Sequence, residues 1–103
     1  LQYLYLTTRG RRTGLPREVE IWFTELKGRY YVIAEQRENA QWVKNIQQDA
    51  RVLFRVGEQT YKGYARLVDA DREPDLCAQV QRLSEAKYGW GDGLIVELTP
   101  ESE

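Results

Sequence analysis

Alternation of large apolar and polar side chains recurs along this chain, and a period of two belongs to strands that bury one face. Residues 2–8, Gln-Tyr-Leu-Tyr-Leu-Thr-Thr, set the pattern. Residues 17–26 repeat it, with Val19, Ile21 and Phe23 on one face and Glu18, Glu20, Trp22 and Thr24 on the other. Lys27-Gly28 makes a short hairpin turn and Tyr30 to Ala34 returns, so these first three strands are expected to form a meander. Two further strands, 51–56 and 59–68, turn at Gly57-Glu58, and a last one runs from Leu94 to Leu98.

The period lengthens in two places. Over 39–48, Asn39 reads as an N-cap and Trp42, Val43 and Ile46 share one face of a short helix. A second helix is expected to start at Asp69 or Asp71, with Pro74 tolerated in its first turn, a stripe of Leu76, Val80 and Leu83, and an end by Gly89. Strands joined by hairpins, with only two helices, do not read as alternating βαβ units. The expected fold is mainly β: a six-stranded antiparallel barrel with two helices filling its gaps, as one domain over residues 1–103. Its sheet edges call for closure or a partner, so a homodimer is expected.

Composition narrows the function classes. With 103 residues, 42% of them hydrophobic and 30% charged, the chain can bury a core of ordinary globular type. It holds no His, which removes the imidazole general base, the Ser-His and Cys-His pairs and most zinc sites. Cys77 alone cannot form an internal disulfide and fits a cytoplasmic setting, with a buried inert thiol as the default. A net charge of −1 argues against a general nucleic-acid or membrane-surface binder, and no apolar run is long enough for a membrane helix. Asp69, Asp71, Glu73 and Asp75 crowd a helix start, where acids favour the macrodipole without any metal. The chain begins at Leu1 and has no Met, so a preceding N-terminal segment is expected.

One stretch breaks the even spread of charge. Residues 9–17, Arg-Gly-Arg-Arg-Thr-Gly-Leu-Pro-Arg, hold four Arg and no acid. Guanidinium groups take phosphate or carboxylate through paired hydrogen bonds, glycines let backbone approach a ligand, and Thr13 adds a hydroxyl. The spacing is neither GxGxxG nor Walker type. Residue chemistry alone leaves three readings open: a solvated hairpin loop, a nucleic-acid loop that the acidic remainder of the chain would oppose, or a seat for a phosphorylated small molecule. Tyr88 and Trp90 lie in a Gly-rich stretch, where they either plug a barrel end or stack on a planar ligand, and Trp42 reads as core with partial cleft lining.

Thr7-Thr8-Arg9-Gly10-Arg11-Arg12-Thr13-Gly14-Leu15-Pro16-Arg17 resembles the TTxGRxTGxPR signature of the deazaflavin-dependent nitroreductase family. Ala40 to Ile46, followed by Arg51-Val52, is similar to that family's W-x-x-N-L helix and next strand. The order of elements resembles the family's split β-barrel, from about Leu4 to Pro100. The resemblance implies hydride transfer from the reduced deazaflavin coenzyme F420 to a quinone, nitroaromatic or similar conjugated acceptor, with the cofactor carrying the redox chemistry. By resemblance, Arg11, Arg12, Thr13, Gly14 and Arg17 would hold the coenzyme's phosphate and acidic tail, and Pro16 would shape the turn. Gln36 and Arg37 fall in the family's strand-to-helix contact loop, and Trp42 and Asn45 would line or support the same cleft. Tyr88 would be a proton donor, and Tyr88 and Trp90 would face the acceptor. Glu35 and Glu38 replace small residues usual in that loop, and the Tyr-rich segment is shortened to Lys87–Gly93. Two alternatives stay open: flavin mononucleotide (FMN) on the same barrel, or a non-catalytic flavin- or nucleotide-binding protein.

Overall fold

The computed structural model describes residues 1–101. Seven strands build one antiparallel sheet: β1 (Tyr3–Arg9), β2 (Pro16–Trp22), β3 (Thr24–Leu26), β4 (Arg29–Ala34), β5 (Arg51–Val56), β6 (Gln59–Leu67) and β7 (Leu94–Pro100). Their spatial order is β2-β1-β5-β6-β7-β4-β3, and the sheet curls into a half-barrel. Helix α1 (Gln41–Gln48) follows β4 after a 3₁₀ turn at Arg37–Asn39, and α2 (Pro74–Tyr88) lies between β6 and β7. Neither is long and apolar enough to cross a membrane.

The alternating run 17–26, expected as one strand of a meander, divides at Phe23, giving seven strands in place of six. β2 pairs with β1 at one end of the sheet, whereas β3 pairs with β4 at the other. The chain must therefore bend between them, and the bend takes the Phe23 backbone out of the ladder. Its N–H donates to the Tyr88 hydroxyl at 3.0 Å, and its carbonyl lies 2.8 Å from the same oxygen and accepts from Lys87 Nζ at 2.9 Å. Polar backbone groups freed from a ladder need such replacements. The β3–β4 hairpin turns as expected at Lys27-Gly28, both at positive φ.

Leu4, Leu6, Val32, Phe54, Val96 and Leu98 are fully buried inside the barrel, and Ile46 of α1 closes one end. The opposite face of β4 and β7 packs Tyr31, Ile33 and Ile95 against Cys77 and Val80 of α2. This is why β4 carries a run of buried residues with little alternation. Two helix starts differ from expectation. Ala40, not Asn39, caps α1, because that position packs against Ala34 and Val43, where a methyl group fits. α2 begins after Glu73, since Asp69 is spent on the preceding turn, accepting the Asp71 N–H on its side chain and the Arg72 and Glu73 N–H groups on its carbonyl. The helix is also rolled so that Cys77, Val80 and Ser84 face inward, leaving Leu83 exposed. Burial first, then the nearby Glu73 and Asp69 carboxylates, push the Cys77 thiol up.

One buried carboxylate joins the sheet to α2. Glu97 of β7 accepts hydrogen bonds from Tyr31 Oη at 2.8 Å and Arg66 Nε at 3.2 Å, with Arg29 3.6 Å away. Arg66 also pairs with Glu73 at the start of α2. Burial pushes the Glu97 carboxyl up, but the hydrogen bonds from Arg66 and Tyr31 and the two guanidinium charges outweigh it and hold the group below its ordinary value. Burial and the bond to Glu97 push the Tyr31 phenol up to about 12.

Candidate functional site

The β1–β2 hairpin ends where Arg9 faces Pro16, and the Arg-rich loop beyond is tied down by its own backbone. Gly10 N–H donates to Leu15 O and Gly14 N–H to Gly10 O, each at 2.8 Å, and Gly14 takes φ +74°, a conformation that disfavours side chains. Thr13 Oγ1 accepts the Leu15 N–H at 3.2 Å. Arg11 turns inward onto α1. Its Nη1 donates to Asn45 Oδ1 at 2.9 Å, its Nη2 to Gln41 Oε1 at 2.7 Å, and its backbone N–H to the same Asn45 oxygen at 3.3 Å. Asn45 is buried, and its Nδ2 donates to Thr8 Oγ1 at 3.1 Å. A single amide thus joins β1, the loop and α1.

Between this loop and α1 lies a cleft of about 600 Å³, bordered by Arg11, Arg12, Thr13, Arg17, Lys44 and Asn45, with Glu18 as its only acid. Among the described residues, Arg12, Arg17 and Lys44 form no ion pair, and with Arg11 they bring four cations to a cleft with one acid. Resemblance also assigned Arg11 to a ligand here; two of its five guanidinium N–H groups go to Asn45 and Gln41, which fixes the side chain while its charge still borders the cleft. Lys44 and Gln41 were not singled out from the sequence. Their signal is spacing: 41, 44 and 45 fall on one helix face, opposite the apolar one.

Across Gln41 and Trp42, which border both spaces, a second cleft of about 630 Å³ opens. Trp22, Trp42 and Trp90, the chain's only three tryptophans, all line it, together with Ile33, Gln36, Glu20 and Glu35. Trp90 meets Trp22 edge-on at 6.3 Å, and Ser84 Oγ donates to the Trp90 carbonyl.

The remaining expected site residues lie elsewhere. Tyr88 stacks flat on Trp22 at 4.5 Å, and its hydroxyl is engaged by the Phe23 backbone and by Gln2 O at 2.7 Å, so it braces the bend and borders neither cleft. Arg37 pairs with Asp92 at 3.0 Å, tying the loop before α1 to the loop before β7. Gly14 and Pro16 border a shallow depression of about 440 Å³ on another side of the hairpin, with Arg51, Leu53, Lys62 and Tyr64. Among the described residues no three His, Cys, Asp or Glu side chains gather as a metal site.

A curled antiparallel sheet with α1 closing one end is a split β-barrel, and solved structures share it. A conserved hypothetical protein of Mycobacterium tuberculosis is 18% identical with a TM-score of 0.78, over 99% of this chain and 74% of that one. An F420-H2 dependent reductase, FDR-A, is 19% identical with a TM-score of 0.67, over 93% and 92%. A FAD-binding protein of Mesorhizobium loti is 13% identical with a TM-score of 0.74, over 99% and 83%. At such identities these likenesses establish the fold. The sequence itself goes further: residues 1–91 match the F420H(2)-dependent quinone reductase family, and the chain belongs to that family of oxidoreductases. No curated protein sequence matches the chain.

Proposed function

We propose that this chain holds a reduced deazaflavin coenzyme, coenzyme F420, and serves its transfer of hydride to a planar conjugated acceptor such as a quinone or nitroaromatic. The observation that carries the reading is the junction of two unlike clefts at Gln41 and Trp42: cations on one side, tryptophans on the other. The donor set suits the group. Arg12, Arg17 and Lys44 offer charge-assisted hydrogen bonds to a phosphate and an acidic tail, and Thr13 keeps a hydroxyl hydrogen to donate. Trp42 and the loop residue Gln36 border the space where a planar ring would lie. When bound, the coenzyme supplies the hydride, two electrons with one proton, and the acceptor takes its second proton from solvent. The protein binds, orients and shields the reactants, which fits a chain without His.

FMN on the same barrel is the second reading, and a non-catalytic flavin carrier the third. Four cations against the single Glu18 exceed what one phosphate requires, which favours the longer anionic tail. The deciding experiment is a titration of the purified chain with coenzyme F420 and with FMN, at low and high salt. Micromolar binding of the deazaflavin that weakens with salt supports the reading. Preference for FMN moves the assignment to the second reading, and hydride transfer loses its carrier if neither binds. We also infer a homodimer, from Leu53 and Tyr64 exposed together on the outer face of β5 and β6. Light scattering across a concentration series tests it, and a monomer at every concentration would refute it.

A further inference from the structure

The tryptophan cleft carries a charge pattern that the proposed function does not use. Its walls are aromatic and aliphatic, its polar lining includes Glu20 and Glu35, and no basic side chain borders it. Glu20 accepts a 2.8 Å hydrogen bond from the Tyr5 hydroxyl, whose ring carries the Arg55 guanidinium 4.2 Å from its centroid; neither Glu20 nor Glu35 makes an ion pair among the described residues. Both carboxylates are solvent-exposed, so they act at short range, on a ring held against the tryptophans, and are screened beyond about a Debye length. Arg37, two residues further along the same loop, is paired with Asp92.

We infer that this cleft is the acceptor subsite and that Glu20 and Glu35 are its specificity-determining residues, admitting neutral planar acceptors and rejecting anionic ones. Flat rings gain stacking contact with Trp22, Trp42 and Trp90, whatever substituents they carry. An ionised substituent meets two carboxylates and no cation, so charge decides between otherwise similar ring systems. The same arrangement discourages a phosphorylated tail from entering on the tryptophan side. The inference rests on the proposed function for the acceptor's being a quinone-like ring and for the coenzyme ring's reaching this cleft beside Trp42.

Since every tryptophan of the chain borders this cleft, intrinsic fluorescence reads its occupancy directly. The full chain without coenzyme is titrated with menadione, a neutral naphthoquinone, and with lawsone, a hydroxynaphthoquinone that is an anion at neutral pH. Free N-acetyltryptophanamide serves as the control for absorption and collisional quenching. Menadione is expected to quench saturably, and lawsone to bind at least about tenfold more weakly, the scale of a few carboxylate–anion contacts at intermediate dielectric. In the Glu20→Gln, Glu35→Gln double variant the two affinities are expected to converge, with the melting temperature confirming a folded chain. Equal binding to the native protein, a gap that survives the double substitution, or quenching no different from the free indole would each overturn the inference. The coenzyme is absent throughout, so loss of the deazaflavin reading and loss of charge selection give separate signatures.

Discussion

On one side of Trp42 the cleft is made by a hairpin loop whose cations are presented to solvent; on the other it is made by rigid rings drawn from β2, α1 and the loop before β7. The cationic cleft gets its shape from hydrogen bonds, since Asn45 and Arg11 fix a loop that has no core of its own. The aromatic cleft gets its shape from packing, with Trp22 held between Tyr88 and Trp90. Their charges are opposed as well, four cations with one acid against two carboxylates with no cation. A ligand with an anionic tail and a flat ring has one sensible orientation across such a pair. Shape set by hydrogen bonds and shape set by packing should also fail differently, and substitutions can separate them.

The largest effect is expected from Asn45→Ala, which strips partners from the Thr8 hydroxyl and the Arg11 N–H together. Unfolding in denaturant should show a loss of about 2–4 kcal/mol, because two polar groups are left unpaired at about 1–3 kcal/mol each. Binding at the cationic cleft should collapse with it, while quinone quenching at the tryptophans persists in the protein that remains folded.

Glu97 lies in neither cleft, so Glu97→Gln asks whether both share one scaffold. It should lower stability by about 1.5–3 kcal/mol, typical of hydrogen bonds to a charged group, with both ligand affinities unchanged at neutral pH. The carboxyl is held below its ordinary value in the folded chain. Its contribution is therefore full above the ordinary carboxylate range and disappears as pH falls through the lower, folded value. Tyr31 acts at the other end, contributing fully below 10 and losing its contribution as pH rises through about 12. Melting temperature against pH should fall less steeply in acid for the variant than for the native chain. Parallel acid limbs would show that Glu97 titrates alike in folded and unfolded states.

Next come Arg12→Ala and Arg17→Ala, each expected to weaken the anionic cofactor by about 1–3 kcal/mol, with less salt dependence. Melting should barely move, because exposed loop charges contribute little to the fold. Normal binding by both variants would remove the loop from the site. The smallest effect is expected from Trp90→Leu: about 0.5–1.5 kcal/mol off quinone binding, the scale of one aromatic contact, with phosphate affinity at the hairpin intact. A simultaneous loss at both clefts would mean that the two are not independent.

Period-two alternation was enough to read β1, β5 and β6, which bury one face against the barrel core, whereas β4 and β7 bury both faces and read as short apolar runs. The bend at Phe23 is where a single strand over 17–26 fails: the phase slips there, with Glu25 in register with Phe23 and Leu26 out of it, as the pairing partner changes from β1 to β4. The roll of α2 was hidden for a related reason, since Leu83 is apolar but Ser84 has a carbonyl to reach. At the site, the Arg cluster and its glycines stood out by composition, and the family signature assigned them. What could not be read was the division of labour among four chemically identical guanidinium groups. Only the placement of Asn45 and Gln41 sends Arg11 inward and leaves Arg12 and Arg17 free. Tyr88 was misleading for the opposite reason: an exposed-looking phenol turned out to serve the backbone of a bend 65 residues away.

The anchoring of the hairpin by Asn45 has a kinetic consequence. The loop is already ordered by bonds within the protein, so the entropy of arranging it belongs to folding and not to ligand capture. An anion arriving at Arg12 and Arg17 meets a preorganised seat, and its association should be a single step with an observed rate that climbs linearly with ligand concentration. With the tether cut, the same rate should bend toward a plateau, set by how often the loop happens to fold into place.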